Sequence, residues 1–136
     1  MRLPTMRQAV GITAALFLTA GTAAGMTAAH HSGEMFEDTK TVTLEGVVKE
    51  FQYTNPHSWL LVDVTDDDGT VTTWGFEAEG PSTLQRAGIT KSTLVPGTKI
   101  TITGRPMKDG RPAAAWIDAV LEDGRRLNPR AGFAVR

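Results

Sequence analysis

The run of residues from Thr41 to Trp59 constrains the fold most, because a long strand-like stretch ends there in a turn that carries a histidine. Apolar residues alternate along this run, beginning with Val42 and Leu44, and Gly46 interrupts them. A glycine inside a strand, with apolar residues on both sides of it, predicts a bend or a bulge. We therefore expect one bent strand that serves both halves of a small barrel.

The rest of the chain predicts four more strands and one short helix. Asp66 to Gly69 forms a hairpin turn, and the segment that begins at Pro81 predicts a helix ended by Gly88. Three strands, a helix and two strands is the order of the five-stranded Greek-key barrel called the OB-fold, with a small open β-sandwich as the alternative. The other predicted strands span residues 58–65, 70–77, 99–105 and 113–121, the last with Ala115, Ile117, Ala119 and Leu121 on one face.

The first 29 residues have the features of an export signal. Arg2 and Arg7 precede an uncharged apolar run from Ala9 to Ala20, which small residues follow. That run is shorter than the roughly 20 residues of a membrane span, so we expect cleavage and no membrane anchor, with an uncleaved N-terminal anchor as the alternative. Cleavage after Ala29 or after Gly25 predicts a periplasmic or secreted protein. The expected parts are a signal peptide (1–29), a flexible leader (30–40), an OB-like barrel (41–123) and a C-terminal tail (124–136).

Composition excludes several classes of function. Cleavage after Ala29 leaves 107 residues, enough for one small domain, and losing two of the 14 basic residues leaves 12 against 15 acidic ones, a formal charge of −3. This acidic balance argues against a nucleic-acid partner. The chain has no cysteine, which excludes disulfides and thiolate metal sites. We find neither a nucleophile beside a base nor a phosphate loop, so we expect no enzymatic activity.

The three histidines of the chain are the candidate metal ligands. His30 and His31 adjoin the expected mature N-terminus, and His57 lies in the turn at the end of the Thr41–Trp59 run. Imidazole suits copper, zinc and nickel. An extended leader spans up to about 33 Å, enough to bring the N-terminus back to His57. We therefore predict a copper-binding protein, with a metal-receiving or cell-envelope protein as its partner. The alternative is that His30 and His31 are merely polar residues just past a cleavage site and that His57 has a purely structural role in the Asn55–Ser58 turn.

The cleavage position decides which copper ligands the N-terminus offers. If His30 comes first, its amine and its ring can chelate one ion together. If Ala29 comes first, the amine, two backbone nitrogens and the His31 ring form the square-planar set that Cu(II) and Ni(II) prefer. Cleavage after Gly25 leaves only side chains. Met35 and Met107 are possible soft ligands for Cu(I) or, alternatively, core residues.

Three further groups of residues have a functional and a structural interpretation. Phe51, Trp59 and Trp74 form a possible aromatic barrel face, which predicts a metal-free module that binds a protein or an envelope glycan, or else they pack in the core. Glu77 and Glu79 are either an acid/base pair or a solvated strand edge. The run Asp66 to Asp68 lacks the spacing of a calcium loop, so we interpret it as a solvated hairpin tip.

Four segments of the sequence form a joint pattern, namely HHS (30–32), NPHSWL (55–60), WGFEAEGPSTLQRAG (74–88) and LVPGTKITITGRPMKDG (94–110). Together they resemble a family of small exported bacterial proteins that is catalogued as a domain of unknown function. This resemblance implies an exported domain with an OB-like barrel, and it implies no activity, substrate or catalytic residue. Ile89 departs from the second aromatic residue that relatives often place after the helix glycine.

Overall fold

A computed structural model describes residues 33–131 of the chain, and these residues form a mostly β structure with one short α-helix. None of the helices in this part of the chain is long and apolar enough to cross a membrane. The elements are β1 (Val42–Gln52), β2 (His57–Thr65), β3 (Val71–Glu79), α1 (Pro81–Arg86), β4 (Lys99–Pro106), β5 (Ala113–Leu121) and β6 (Arg126–Leu127), with 3₁₀ turns at Gly33–Met35 and Lys91–Thr93.

The first five strands close into a barrel. Antiparallel pairing orders the sheet β3-β2-β1-β4-β5-β6, and a parallel pairing between β3 and β5 joins its two sides. This closure, with α1 between β3 and β4, confirms the predicted OB-like barrel over the open sandwich. The β3–β5 seam is short, because it comprises only three residue pairs, from Gly75–Ala113 to Glu77–Ala115.

Strand β1 serves both halves of the barrel, as its sequence predicts. Its first half, up to Val47, pairs with β4, and its second half, from Val47 onward, pairs with β2. A Cβ atom on Gly46 would lie 2.6 Å from the backbone oxygen of Asp63 and 2.6 Å from a methyl group of Val62. Only glycine fits this close approach, while the register shift itself lies between Val48 and Glu50.

The core lies inside the barrel. The structure corrects the set of β5 residues that was predicted to share one inward face. Trp116 is 2% exposed and belongs to the core, whereas Ile117 is 36% exposed. The register with β4 shifts after Thr103, since Thr103 pairs with Asp118 while Gly104 pairs with Trp116. This bulge reverses the inward parity of β5. Ala119 and Leu121 do lie in the core, but continuing their alternation back to Ile117 selects the wrong residue.

The predicted hairpin and helix are both present. In the β2–β3 turn the amide of Asp66 donates to the carbonyl of Thr70 at 2.8 Å, and Gly69 has a φ of 85°. After α1, Gly88 has a φ of 79°, which suits glycine at a helix end.

Both ends of the described chain dock onto the barrel. Phe36 is 2% exposed and bridges to Met107, and the Glu37 amide donates to the carbonyl of Pro106 at 2.9 Å. At the other end, β6 pairs with β5, and Pro129 is fully buried. Residues 33–37 of the expected flexible leader and 126–129 of the expected tail thus belong to the packed domain, because each buries an apolar side chain.

Candidate functional site

A cavity of about 290 Å³ opens at the end of the barrel where the β3–β5 seam stops. Glu77 and Ala115 form the last pair of the seam. The residues that follow them, Ala78 and Trp116, line the cavity together with the last residue of β3, Glu79. The docked chain ends contribute Gly33, Phe36, Pro129 and Arg130 to the lining, and the remaining lining residues are His57 and Arg105.

One cross-strand row of the barrel surface supplies two charged residues of the cavity. Arg105 of β4 pairs with Ala115 of β5, and Ala115 pairs with Glu77 of β3. Directly paired residues share a face of the sheet and neighbouring strands lie roughly 4.8 Å apart, so the Arg105 and Glu77 backbones are roughly 10 Å apart. The methyl group of Ala115 between them leaves room for a ligand.

His57 enters the cavity beside Glu77. In the register of β2 and β3, His57 pairs with Glu79 and Trp59 pairs with Glu77, so all four residues lie on the outer face of the barrel. The Nδ1 atom of His57 is 3.2 Å from Oε1 of Glu77. His57 is 28% exposed and Glu77 is 8% exposed, so the imidazole forms part of the rim and the carboxylate lies beneath it.

Burial raises the pKa of the Glu77 carboxyl above its ordinary value. Desolvation is the largest cause, and the nearby carboxylate of Glu79 also raises this pKa, while the charge interaction with His57 lowers it. Glu77 is therefore a buried acid with an incomplete set of partners.

Three buried polar atoms around the cavity have no hydrogen-bond partner within the described part of the chain. They are Oε2 of Glu77, Nε of Arg105 and Nε1 of Trp116. The outer end of the Arg105 guanidinium does have a partner, since its Nη1 lies 3.5 Å from Oδ1 of Asp38. An unpaired buried polar group is costly, so three of them around one cavity mark a place where further partners belong.

The predicted metal ligands are placed only in part. His57 lines the cavity, while His30 and His31 lie outside the described residues. Gly33, two positions after His31, also lines the cavity. Residues 33–131 contain no group of three or more histidine, aspartate or glutamate side chains that could hold a metal ion. Met35 and Met107 are not among the residues that line the cavity, and Met107 packs with Phe36.

The three predicted aromatic residues do not form one face. Phe51 is 5% exposed and belongs to the core, where its ring meets Tyr53 edge-on. Trp74 points into the barrel and stacks on Phe76 with ring centroids 6.3 Å apart. Trp59 lies on the opposite face and packs against the cluster of Phe36 and Met107. The predicted aromatic surface is wrong because strand register sends Trp59 and Trp74 to opposite sides of the sheet.

Sequence reasoning missed part of the cavity. It noted Glu77 and Glu79, but it did not predict that Glu77 is buried. It did not identify Arg105 and Trp116 as candidates. The features that could have indicated them are an arginine near the end of β4 and a tryptophan among the small residues of β5. Their shared role depends on the β3–β5 seam, which no local pattern encodes.

The fold and the cavity together define a small OB-like barrel with a polar pocket at one end. A family model matches residues 18–115, which is most of the chain, and its description is "Family of unknown function (DUF6152)". The chain belongs to this family. Neither the comparison with curated proteins nor that with solved structures gave a match.

Proposed function

We propose that this protein is an exported, non-enzymatic binding protein that holds a copper ion through His57 and the histidines His30 and His31. The observation that carries the proposal is the position of His57 at the rim of the cavity, with Nδ1 beside a buried carboxylate. Metal-binding histidines commonly donate one ring nitrogen to a carboxylate, which orients the ring and leaves the other nitrogen for the metal. In His57 that free ligand is Nε2.

The position of Gly33 supports a shared site. Gly33 and His57 line the same cavity, and two residues of chain span at most about 7 Å. A short connection from Gly33 therefore allows His31 to reach the cavity that His57 lines. A bound copper ion would supply a coordination centre, while Glu77 would hold the His57 ring in orientation.

Export supports the choice of metal and the wider role. The apolar run from Ala9 to Ala20 predicts export to an oxidising compartment, where an amine and imidazoles can bind Cu(II). A metal-receiving protein of the cell envelope is the partner that this role needs. Intact mass and N-terminal sequencing of the exported protein test the export step, and a first residue of Ala29 or His30 is the expected result.

The copper site is tested by titrating the mature protein with Cu(II), followed by calorimetry and electron paramagnetic resonance. His57→Asn keeps an amide donor near the position of Nδ1 and removes Nε2. We expect it to lower the copper affinity at least about tenfold and to change the spectrum, because one ligand is lost. The control Glu122→Gln alters an exposed carboxylate that pairs with Lys99. Equal affinity in the parent and His57→Asn would rule out the shared site.

A further inference from the structure

The cavity presents both hydrogen-bond donors and an acceptor that lack partners within residues 33–131. Arg105 Nε and Trp116 Nε1 each carry one N–H, and Glu77 Oε2 is an acceptor when the carboxyl is ionised. Glu77 and Trp116 are 8% and 2% exposed, so bulk water does not reach these atoms freely. The three atoms belong to residues of three different strands, and all three residues line one cavity.

The charges that line the cavity balance in sign. Arg105 and Arg130 are cationic, and Glu77 and Glu79 are acidic. An anion alone would leave Oε2 of the buried Glu77 carboxylate without a donor. A cation alone would leave the Arg105 and Trp116 donors without an acceptor. A ligand that carries both an anionic oxygen and an ammonium group satisfies all three atoms.

The dimensions favour a small ligand. Pockets for drug-sized ligands range from roughly 300 to 1,000 Å³, and this cavity of about 290 Å³ is at or below the lower limit. The side chain of Ala115 separates Arg105 from Glu77 in the row, so the two charged groups meet across a methyl group. A molecule with its two charges a few bonds apart fits between them.

We propose that this cavity binds a small zwitterion of the amino-acid class, with its carboxylate on Arg105 Nε and Trp116 Nε1 and its ammonium on Glu77 Oε2. The site does not require copper, because none of these three atoms belongs to the proposed copper ligands. It adds to the proposed function a binding site for an organic ligand. Trp116 and Glu77 are the residues that discriminate between the two ends of the ligand.

The test is calorimetric and NMR titration of the mature protein with alanine in metal-depleted buffer. Propionate and ethylamine, which each carry one of the two charged groups, are the matched probes. We expect saturable binding of alanine and much weaker binding of either half. Glu77→Gln and Trp116→Phe should each weaken alanine binding about tenfold or more, as expected when a charge-assisted hydrogen bond is lost.

Two further variants separate loss of the site from loss of the fold. Ala115→Leu fills the space between Arg105 and Glu77 without removing a polar atom, and it should abolish binding. Arg125→Lys changes an exposed arginine in the turn between β5 and β6, outside the cavity lining, and should leave binding unchanged. Thermal unfolding of each variant verifies that it is folded.

Several results would overturn the inference. They are the absence of saturable alanine binding, equal binding of propionate and alanine, and unchanged affinity in Glu77→Gln. A cavity whose chemical shifts do not respond to alanine would hold ordered water only. If alanine fails to bind while copper still binds, this inference fails and the copper proposal stands. The reverse outcome removes the copper site and leaves the zwitterion site.

Discussion

Glu77 in the cavity and the aspartates of three turns carry the same kind of charge, yet their pKa values shift in opposite directions. Desolvation raises the pKa of Glu77. Backbone amides lower the pKa values of Asp68, Asp109 and Asp123, which are exposed. The difference is one of partners, because each turn aspartate is supplied with donors and Glu77 retains an unpaired oxygen.

The turn aspartates share one local motif, Asp-Gly followed by a residue whose amide returns to the aspartate. The Thr70 amide donates to Asp68 at 2.9 Å, and the Arg111 and Arg125 amides donate to Asp109 and Asp123 at 3.1 and 3.0 Å. These three aspartates therefore belong to turns whose own backbone amides supply their hydrogen bonds. The carboxylate that keeps a buried, unpaired oxygen among the described residues is instead that of Glu77, within strand β3.

The largest expected effect distinguishes a glycine beside the cavity from a glycine in a turn. A Cβ atom on Gly104 would lie 2.8 Å from the backbone oxygen of Ala115 and 2.8 Å from the Cβ of Ala114. Gly104→Ala should lower the free energy of unfolding by about 3 kcal/mol, because backbone has to move. Gly69→Ala meets no atom but keeps a φ of 85°, so about 1 kcal/mol is expected. Chemical denaturation measures both free energies of unfolding, and equal losses would contradict the close packing of Gly104 against β5.

The second prediction tests the opposite pKa shifts through stability. A raised folded pKa means that Glu77 favours the fold when protonated, so its contribution declines as pH rises through 4.5 toward the folded pKa. Glu77→Gln mimics the protonated form and should raise the free energy of unfolding at pH 7, with no gain near pH 3. Stabilisation together with weaker ligand binding is what a residue kept for function should show.

Asp109→Asn provides the matched comparison for Glu77→Gln. The pKa of Asp109 is lowered, so its contribution to stability is present above pH 3.8 and is lost as pH falls through the lower folded pKa. This variant should slightly lower the melting temperature at pH 7 and leave it unchanged at the acid end. If both variants shift the melting temperature in the same direction at pH 7, the contrast between cavity and turn does not hold.

The smallest effect is expected at the acidic hairpin tip. Asp68 already accepts the Thr70 amide, and Asp66 binds Thr70 through the backbone. Addition of millimolar calcium should therefore leave the melting temperature and the NMR shifts of Asp66 to Gly69 unchanged. The double variant Asp66→Asn and Asp67→Asn is the control, and a calcium response that this variant abolishes would show that the tip binds the ion.

The sequence predicts most elements of the barrel because their signals are local. Alternating apolar residues identify the strands, Asp-Gly turns identify the hairpins, and Gly88 ends the helix. The errors lie where a local pattern is interrupted. The alternation of apolar residues on β5 does not identify Trp116 as a core residue, because the bulge that follows it reverses the inward parity. A shared face for Trp59 and Trp74 is wrong because Trp59 pairs with Glu77. Trp74 is an odd number of residues from Glu77 and therefore lies on the opposite face of the sheet.

The sequence by itself determined the succession of strands and helix along the chain, the turns, and the bent strand in the Thr41–Trp59 stretch that serves both halves of the barrel. Only the tertiary structure decided that Glu77 is buried, that Arg105 and Trp116 join it, and that Gly33 reaches the same cavity. The physical reason is that strands distant in the chain meet through the β3–β5 seam and through docking of the chain ends. Which buried polar atoms then remain without partners depends on all of these contacts together.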